Sequence, residues 1–161
     1  MRRAFIALVT VGMLFALVPA AAAAAPAHAG RPEMTPPAHA GRPLSAMLKA
    51  TNEVSPGPLN GTGTANLWLN QGQGRICFSL TWSNQVANPT AAHIHKAPAG
   101  QNGGVVVPLF LTTKTTSPAS GCVSVSDKDL IKDIRQNPHN YYVNVHNAAF
   151  LAGAIRGQLS K

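Results

Sequence analysis

Short stretches in which apolar and polar positions alternate, each closed by Gly, Pro or Asn, run from Leu44 to the end of the chain. Strand side chains project to opposite faces with a period of two, so this alternation marks strands with one buried face. Leu44, Ala46 and Leu48 form the first set. After the breaker cluster Ser55-Pro56-Gly57-Pro58, Thr62 to Asn70 alternates again, with Ala65, Leu67 and Leu69 on one face. Gln71-Gly72-Gln73-Gly74 is a turn. In Arg75 to Trp82, Ile76, Phe78, Leu80 and Trp82 face one way, and Cys77, Ser79 and Thr81 the other. Ala91 to Lys96 and Val105 to Leu111 predict two strands around a glycine-rich loop. Pro108 makes the second irregular or places it at a sheet edge, because proline donates no ladder hydrogen bond. Cys122 to Val125, Tyr141 to Asn147 and Ala154 to Leu159 complete the set.

One segment changes period. Ser126 with Asp129 three residues on resembles a capping box, and Leu130, Ile131 and Ile134 follow at helical spacing until Asn137-Pro138 ends them. The pattern predicts a mainly β, antiparallel sandwich or barrel of about eight short strands with one short helix, over residues 44–161.

The N-terminal part reads differently. Arg2 and Arg3 precede an apolar run from Ala4 to Val18, closed by Pro19 and a string of alanines, the order of a secretory signal. Residues 1–25 are expected to be a signal peptide, with cleavage as late as residue 29. Residues 26–43 repeat Pro-Ala-His-Ala-Gly-Arg-Pro in tandem and have no apolar period, which predicts a flexible linker. The run is shorter than the about 20 residues that span a bilayer, so no transmembrane span is expected once the signal is removed.

Export gives the charge and the cysteines their meaning. Without Arg2 and Arg3, 11 basic residues face 5 acidic ones, a net +6, and they are scattered singly rather than gathered into a stripe. That excludes nucleic acid as the expected partner and leaves a weak general attraction to anionic polymers or cell surfaces. Cys77 and Cys122 in an exported chain predict a disulfide.

Three histidines are the strongest chemical signal. His93 and His95 share one face of a strand, and His146 shares a face with Tyr142 and Asn144. If those strands pack together, three neutral imidazoles converge as candidate ligands for copper or zinc. Histidines hydrogen-bonded to loop backbone are the alternative reading. His139, between Pro138 and Asn140, is either a fourth ligand or an exposed side chain. No Ser sits in a G-x-S-x-G elbow, no acid is placed to orient a histidine, and no carboxylate pair fits glycoside chemistry. The chain is therefore read as leaning away from an enzyme.

The motifs together resemble the chordin-type (CHRD) domain. The resemblance rests on Ala92-His93-Ile94-His95, on Ala99-Gly100-x-Asn102-Gly103 with Val105-Val106-Val107-Pro108-Leu109, on Tyr142-Val143-Asn144-Val145-His146, and on Gly153-Ala154-Ile155-Arg156-Gly157-Gln158-Leu159, with Glu53-Val54 near the start. Two positions depart from it: Ser55-Pro56 stands where two prolines are frequent, and Leu151-Ala152-Gly153 where a proline-glycine turn is. The resemblance implies a single-domain exported member with a bacterial-style signal. It also implies an immunoglobulin-like or dismutase-like Greek-key sandwich or barrel, from limited similarity to copper-zinc superoxide dismutases, and no settled activity. The H-x-H strand looks like the copper strand of those dismutases, but the aspartate and further histidines of their zinc site are missing. Arg156 and Gln158 share a face with Ala154, and Arg156 is expected to clamp a loop carbonyl or a carboxylate, with Glu53 as a candidate partner. Asn144, Glu53, Arg156 and Gln158 are thus expected to be structural. The leading expectation is a secreted or extracytoplasmic binding or structural module for an extracellular ligand or envelope component, with the histidine cluster either structural or a metal site. The alternatives are a copper-dependent redox protein and a cell-envelope adhesion module.

Overall fold

In the computed structural model the chain is described over residues 41–161; the expected signal peptide and most of the expected linker lie outside the described residues. The strands are β1 (Arg42–Lys49), β2 (Thr62–Asn70), β3 (Arg75–Trp82), β4 (Ala91–Lys96), β5 (Val105–Phe110), β6 (Ala119–Ser124), β7 (Tyr141–Asn147) and β8 (Phe150–Gln158). One helix, α1 (Lys128–Gln136), lies between β6 and β7. All eight strands join one antiparallel sheet in the order β5-β4-β7-β8-β1-β2-β3-β6, curled so that its two edge strands approach each other in a nearly closed barrel. Mainly β, antiparallel, eight strands and one helix are as the alternation predicts.

The inward positions are the predicted ones. Leu44, Leu48, Ala65, Leu67, Leu69, Ile76, Leu80, Ile94, Val143, Val145 and Ile155 are buried in one core, and Trp82 packs against it from a partly buried position. β5 is an edge strand, and its pairing with β4 shifts register twice, between Ala92 and His93 and between Ile94 and His95. Pro108 sits within that irregular ladder.

Several boundaries differ from the sequence reading. β1 begins at Arg42, two residues early, paired with Leu69. β6 covers Ala119–Ser124 rather than Cys122–Val125. Its first half is Ala, Ser and Gly, too small to show alternation, yet Ala119 pairs with Leu80 and Gly121 with Phe78. A Cβ on Gly121 would stand 3.1 Å from the Phe78 ring, so the aromatic fills the space a side chain would take. The helix cap is Asp127, not Ser126: the Asp127 carboxylate accepts from the backbone N–H groups of Asp129 and Leu130. β8 starts at Phe150, four residues before Ala154, because Asn147 Oδ1 accepts from the N–H groups of Ala149 and Phe150 and closes a hairpin that contains no Gly or Pro.

Cys77 and Cys122 are register partners on β3 and β6 and form a disulfide, with Cα atoms 3.9 Å apart. It closes a loop of 45 residues, which constrains the unfolded chain by about 4 kcal/mol in the chain-entropy picture.

Candidate metal centre

The core side of β4, β7 and β8 is taken by Ile94, Val143, Val145 and Ile155, each fully buried. Period two then puts His93, His95, Tyr142, Asn144, His146 and Arg156 on the other face. Register aligns them across the sheet: His93 lies opposite Asn144 and Asn144 opposite Arg156, while His95 lies opposite Tyr142 and Tyr142 opposite Gln158. One patch of sheet outside the core thus carries nearly all the polar chemistry. The loop from Ala97 to Gly104 and the segment after β1 border it.

His93, His95 and His146 converge, with one donor nitrogen from each within 4.8 Å of the others. His93 Nδ1 and His146 Nε2 are 3.1 Å apart. Two imidazoles bound at about 2.0–2.1 Å to one ion stand about 2.8–3.4 Å apart, or about 4.2 Å when on opposite sides of it. The His93–His146 pair stands at ligand spacing, while the cluster as a whole spreads over up to 4.8 Å, so the rings would draw together around an ion.

Backbone carbonyls fix the proton positions. His95 Nδ1 lies 2.9 Å from Gly103 O, and His146 Nδ1 lies 2.9 Å from Leu151 O. A carbonyl only accepts, so both Nδ1 atoms carry the proton and both Nε2 atoms keep a lone pair; His93 Nδ1–H then donates to His146 Nε2, and an ion would take the place of that proton. This outer hydrogen bond is the usual support of a metal-ligating histidine. His95 Nε2 is buried and has no hydrogen-bond partner among the described residues. A buried polar atom left in this way calls for an explanation, and an ion supplies one.

The electrostatics keep the rings uncharged. Burial, with the neighbouring His146 and His95, pushes His93 down to about 4. Burial also lowers His95, opposed by the Gly103 hydrogen bond and helped by Arg156; it lowers His146, opposed by Leu151 O and helped by His95. All three are neutral at pH 7, the form that binds metal.

The CHRD-domain family model matches residues 44–159. The chain belongs to the CHRD-domain family. No curated protein and no solved structure matches it significantly.

The other polar residues of this CHRD domain organise the surroundings. Arg156 is only 1% exposed. Its guanidinium lies 3.5 Å from the centre of the Tyr142 ring and donates to Gln101 O at 2.9 Å and Asn102 Oδ1 at 3.2 Å. It is a clamp on a loop carbonyl, as one of the two expected options. Glu53, expected as its partner, takes hydrogen bonds from Asn144 Nδ2, at 3.0 and 3.1 Å, and Asn144 stands between His93 and Arg156 in the strand register. Burial pushes Glu53 up to about 7, against the opposing pull of Arg156 and Asn144. Gln158 donates to Ala97 O at 2.7 Å and His139 O at 2.8 Å. His139 contributes only that carbonyl; its side chain is exposed and outside the three-histidine group.

Sequence reasoning allowed for hydrogen bonds from the histidines to backbone without naming the carbonyls of Gly103 and Leu151, and it missed the stacking of His95 on Tyr142 and the demand on Gly153. That glycine has φ +138°, and a Cβ there would stand 2.6 Å from both Asn144 Nδ2 and Glu53 Oε2. The Gly153 in the closing motif was the available signal. Among the described residues no helix is long and apolar enough to cross a membrane.

Proposed function

We propose that this chain is an exported CHRD module that binds copper through His93 Nδ1, His95 Nε2 and His146 Nε2. The observation that carries the reading is the pair of carbonyl-anchored tautomers, which direct two Nε2 lone pairs toward a third imidazole. An all-imidazole set with neither thiolate nor carboxylate suits copper, which also binds a given nitrogen site more tightly than zinc. His95 is buried while His93 and His146 are half-buried, so the ion would keep an open side toward solvent. Secretion of the domain after removal of residues 1–25 belongs to the same proposal, and the disulfide is compatible with it. So does kinship of the barrel with immunoglobulin-like and dismutase-like folds.

A storage, delivery or structural role for the ion fits best, because Glu53, the carboxylate bordering this patch, is hydrogen-bonded to Asn144 and not to a histidine. The open side favours a second reading, a copper-dependent redox protein. Titration of the metal-free protein with copper and zinc in competition tests the proposal. One copper per chain, bound ahead of zinc and lost in His95→Ala, is the expected result. Failure of the wild type to take up either ion at micromolar concentration overturns it. Consumption of superoxide by the copper form, absent from His95→Ala, would shift the reading to redox chemistry.

A further inference from the structure

Outside the histidine cluster, Arg42 at the start of β1, Gln71 after β2, Lys132, Arg135 and Gln136 on α1, and Lys161 line a cavity of about 290 Å³. Four cations and two carboxamides meet there, and no Asp or Glu side chain lines it. Two of the three carboxylates at α1 are committed elsewhere, and the third, Asp129, does not line the cavity. Asp127 caps the helix, and Asp133 accepts from Lys96, Tyr141 and Asn137. Lys96–Asp133 is the ion pair present among the described residues.

Cations in the last turn of a helix have an ordinary use, since they face the negative end of its dipole for about 0.3–1 kcal/mol. That accounts for Arg135. It does not account for Arg42 and Lys161, which the sheet delivers from the start of β1 and from beyond the end of β8. Four like charges around one cavity repel, and only an anion relieves all of them together. Arg135 is also held in place: its Nη1 donates to Gln71 Oε1 at 3.1 Å, and its buried Nε has no partner among the described residues.

We infer that this cavity is a binding site for a phosphate group. Two arginines offer planar forks that match tetrahedral oxyanions, and a phosphate supplies more charge and more acceptors than a carboxylate. The cations surround one opening instead of forming a stripe, so the site takes one phosphate group, either free or as a unit of a phosphate polymer outside the cell. The inference is independent of the metal reading.

The test titrates the whole protein with inorganic phosphate, with polyphosphate and with polygalacturonate, a carboxylate polymer, at about 0.15 M salt. Saturable binding of phosphate or polyphosphate, weakened about tenfold or more by Lys132→Gln with Arg135→Gln, is expected from the loss of charge-assisted hydrogen bonds. Lys49→Gln with Lys114→Gln, which removes the same charge elsewhere, should change it less than about twofold, since distant surface charges are screened. Binding by free phosphate identifies a small-ion site, and binding by polyphosphate alone identifies a polymer site. Equal loss in both double variants, equally tight polygalacturonate, or no saturable phosphate binding overturns the inference. Should Arg135→Gln fail to fold, Arg42→Gln with Lys132→Gln replaces it under the same criteria.

Discussion

His95 lies flat on Tyr142, the two rings 4.8 Å apart at their centres and within 5° of parallel. The same tyrosine carries the Arg156 guanidinium, and its hydroxyl accepts from Gly103 N at 3.2 Å. Gly103 in turn gives its carbonyl to His95, so ring, loop and ligand form one closed circuit. Tyr142→Leu keeps the apolar bulk and removes the stack, the cation contact and the hydrogen bond. It should cost about 2 kcal/mol in denaturant unfolding, given about 0.5–1.5 kcal/mol for an aromatic pair and about 1 kcal/mol for a net hydrogen bond. Copper affinity should fall with it; unchanged affinity would mean that Tyr142 does not position His95.

The histidines predict an acid limit. Each is lowered from the ordinary imidazole value, His93 to about 4, so protons compete with metal later than they do for free histidine. Copper affinity should stay level from pH 8 down to the ordinary value near 6.5 and fall at lower pH, at the latest as His93 protonates at about 4. For the metal-free protein the sign is the same. A lowered histidine contributes full stability above its unfolded value and loses it as the pH falls through the folded one. Acid unfolding curves of the wild type and His93→Asn check this, and the variant should be the less sensitive between pH 6.5 and 4.

Glu53 acts in the opposite direction. Raised to about 7 by burial, it is most favourable to folding while protonated, below 4.5, and loses that contribution as the pH rises through 7. Glu53→Gln keeps an acceptor for Asn144 and cannot ionise. The variant should melt higher than the wild type at pH 8 and close to it at pH 5. A variant less stable at pH 8 would show that the carboxylate charge is needed, with Arg156 as its partner.

Removing the disulfide as Cys77→Ala with Cys122→Ala should destabilise the protein by up to about 4 kcal/mol. The oxidised wild type should resist thiol reagents until a reductant is present, which mass shifts on labelling will show.

The core was legible because alternation with period two is a direct imprint of one-sided burial. Leu44, Leu67, Ile76, Leu80 and Ile155 all sit where that rule puts them. It failed where the side chains were too small to carry a pattern, as at Ala119 to Gly121, and where an Asn side chain made the turn before Phe150. The meeting of His93, His95 and His146 could be stated from the sequence only as a condition on strand packing. Pairing of β4 with β7 meets that condition, and no local feature of either strand encodes it. The partners that fix the tautomers are main-chain oxygens, which every residue has. No residue type at Gly103 or Leu151 announces them.

Those two oxygens belong to different parts of the chain: Gly103 to the loop leaving β4, Leu151 to the hairpin joining β7 and β8. An ion held by His95 and His146 would fasten the two together like a clasp, although they are remote in sequence. Loading with metal should then slow amide exchange in both segments in concert, turning two separately fraying surface regions into one cooperative unit.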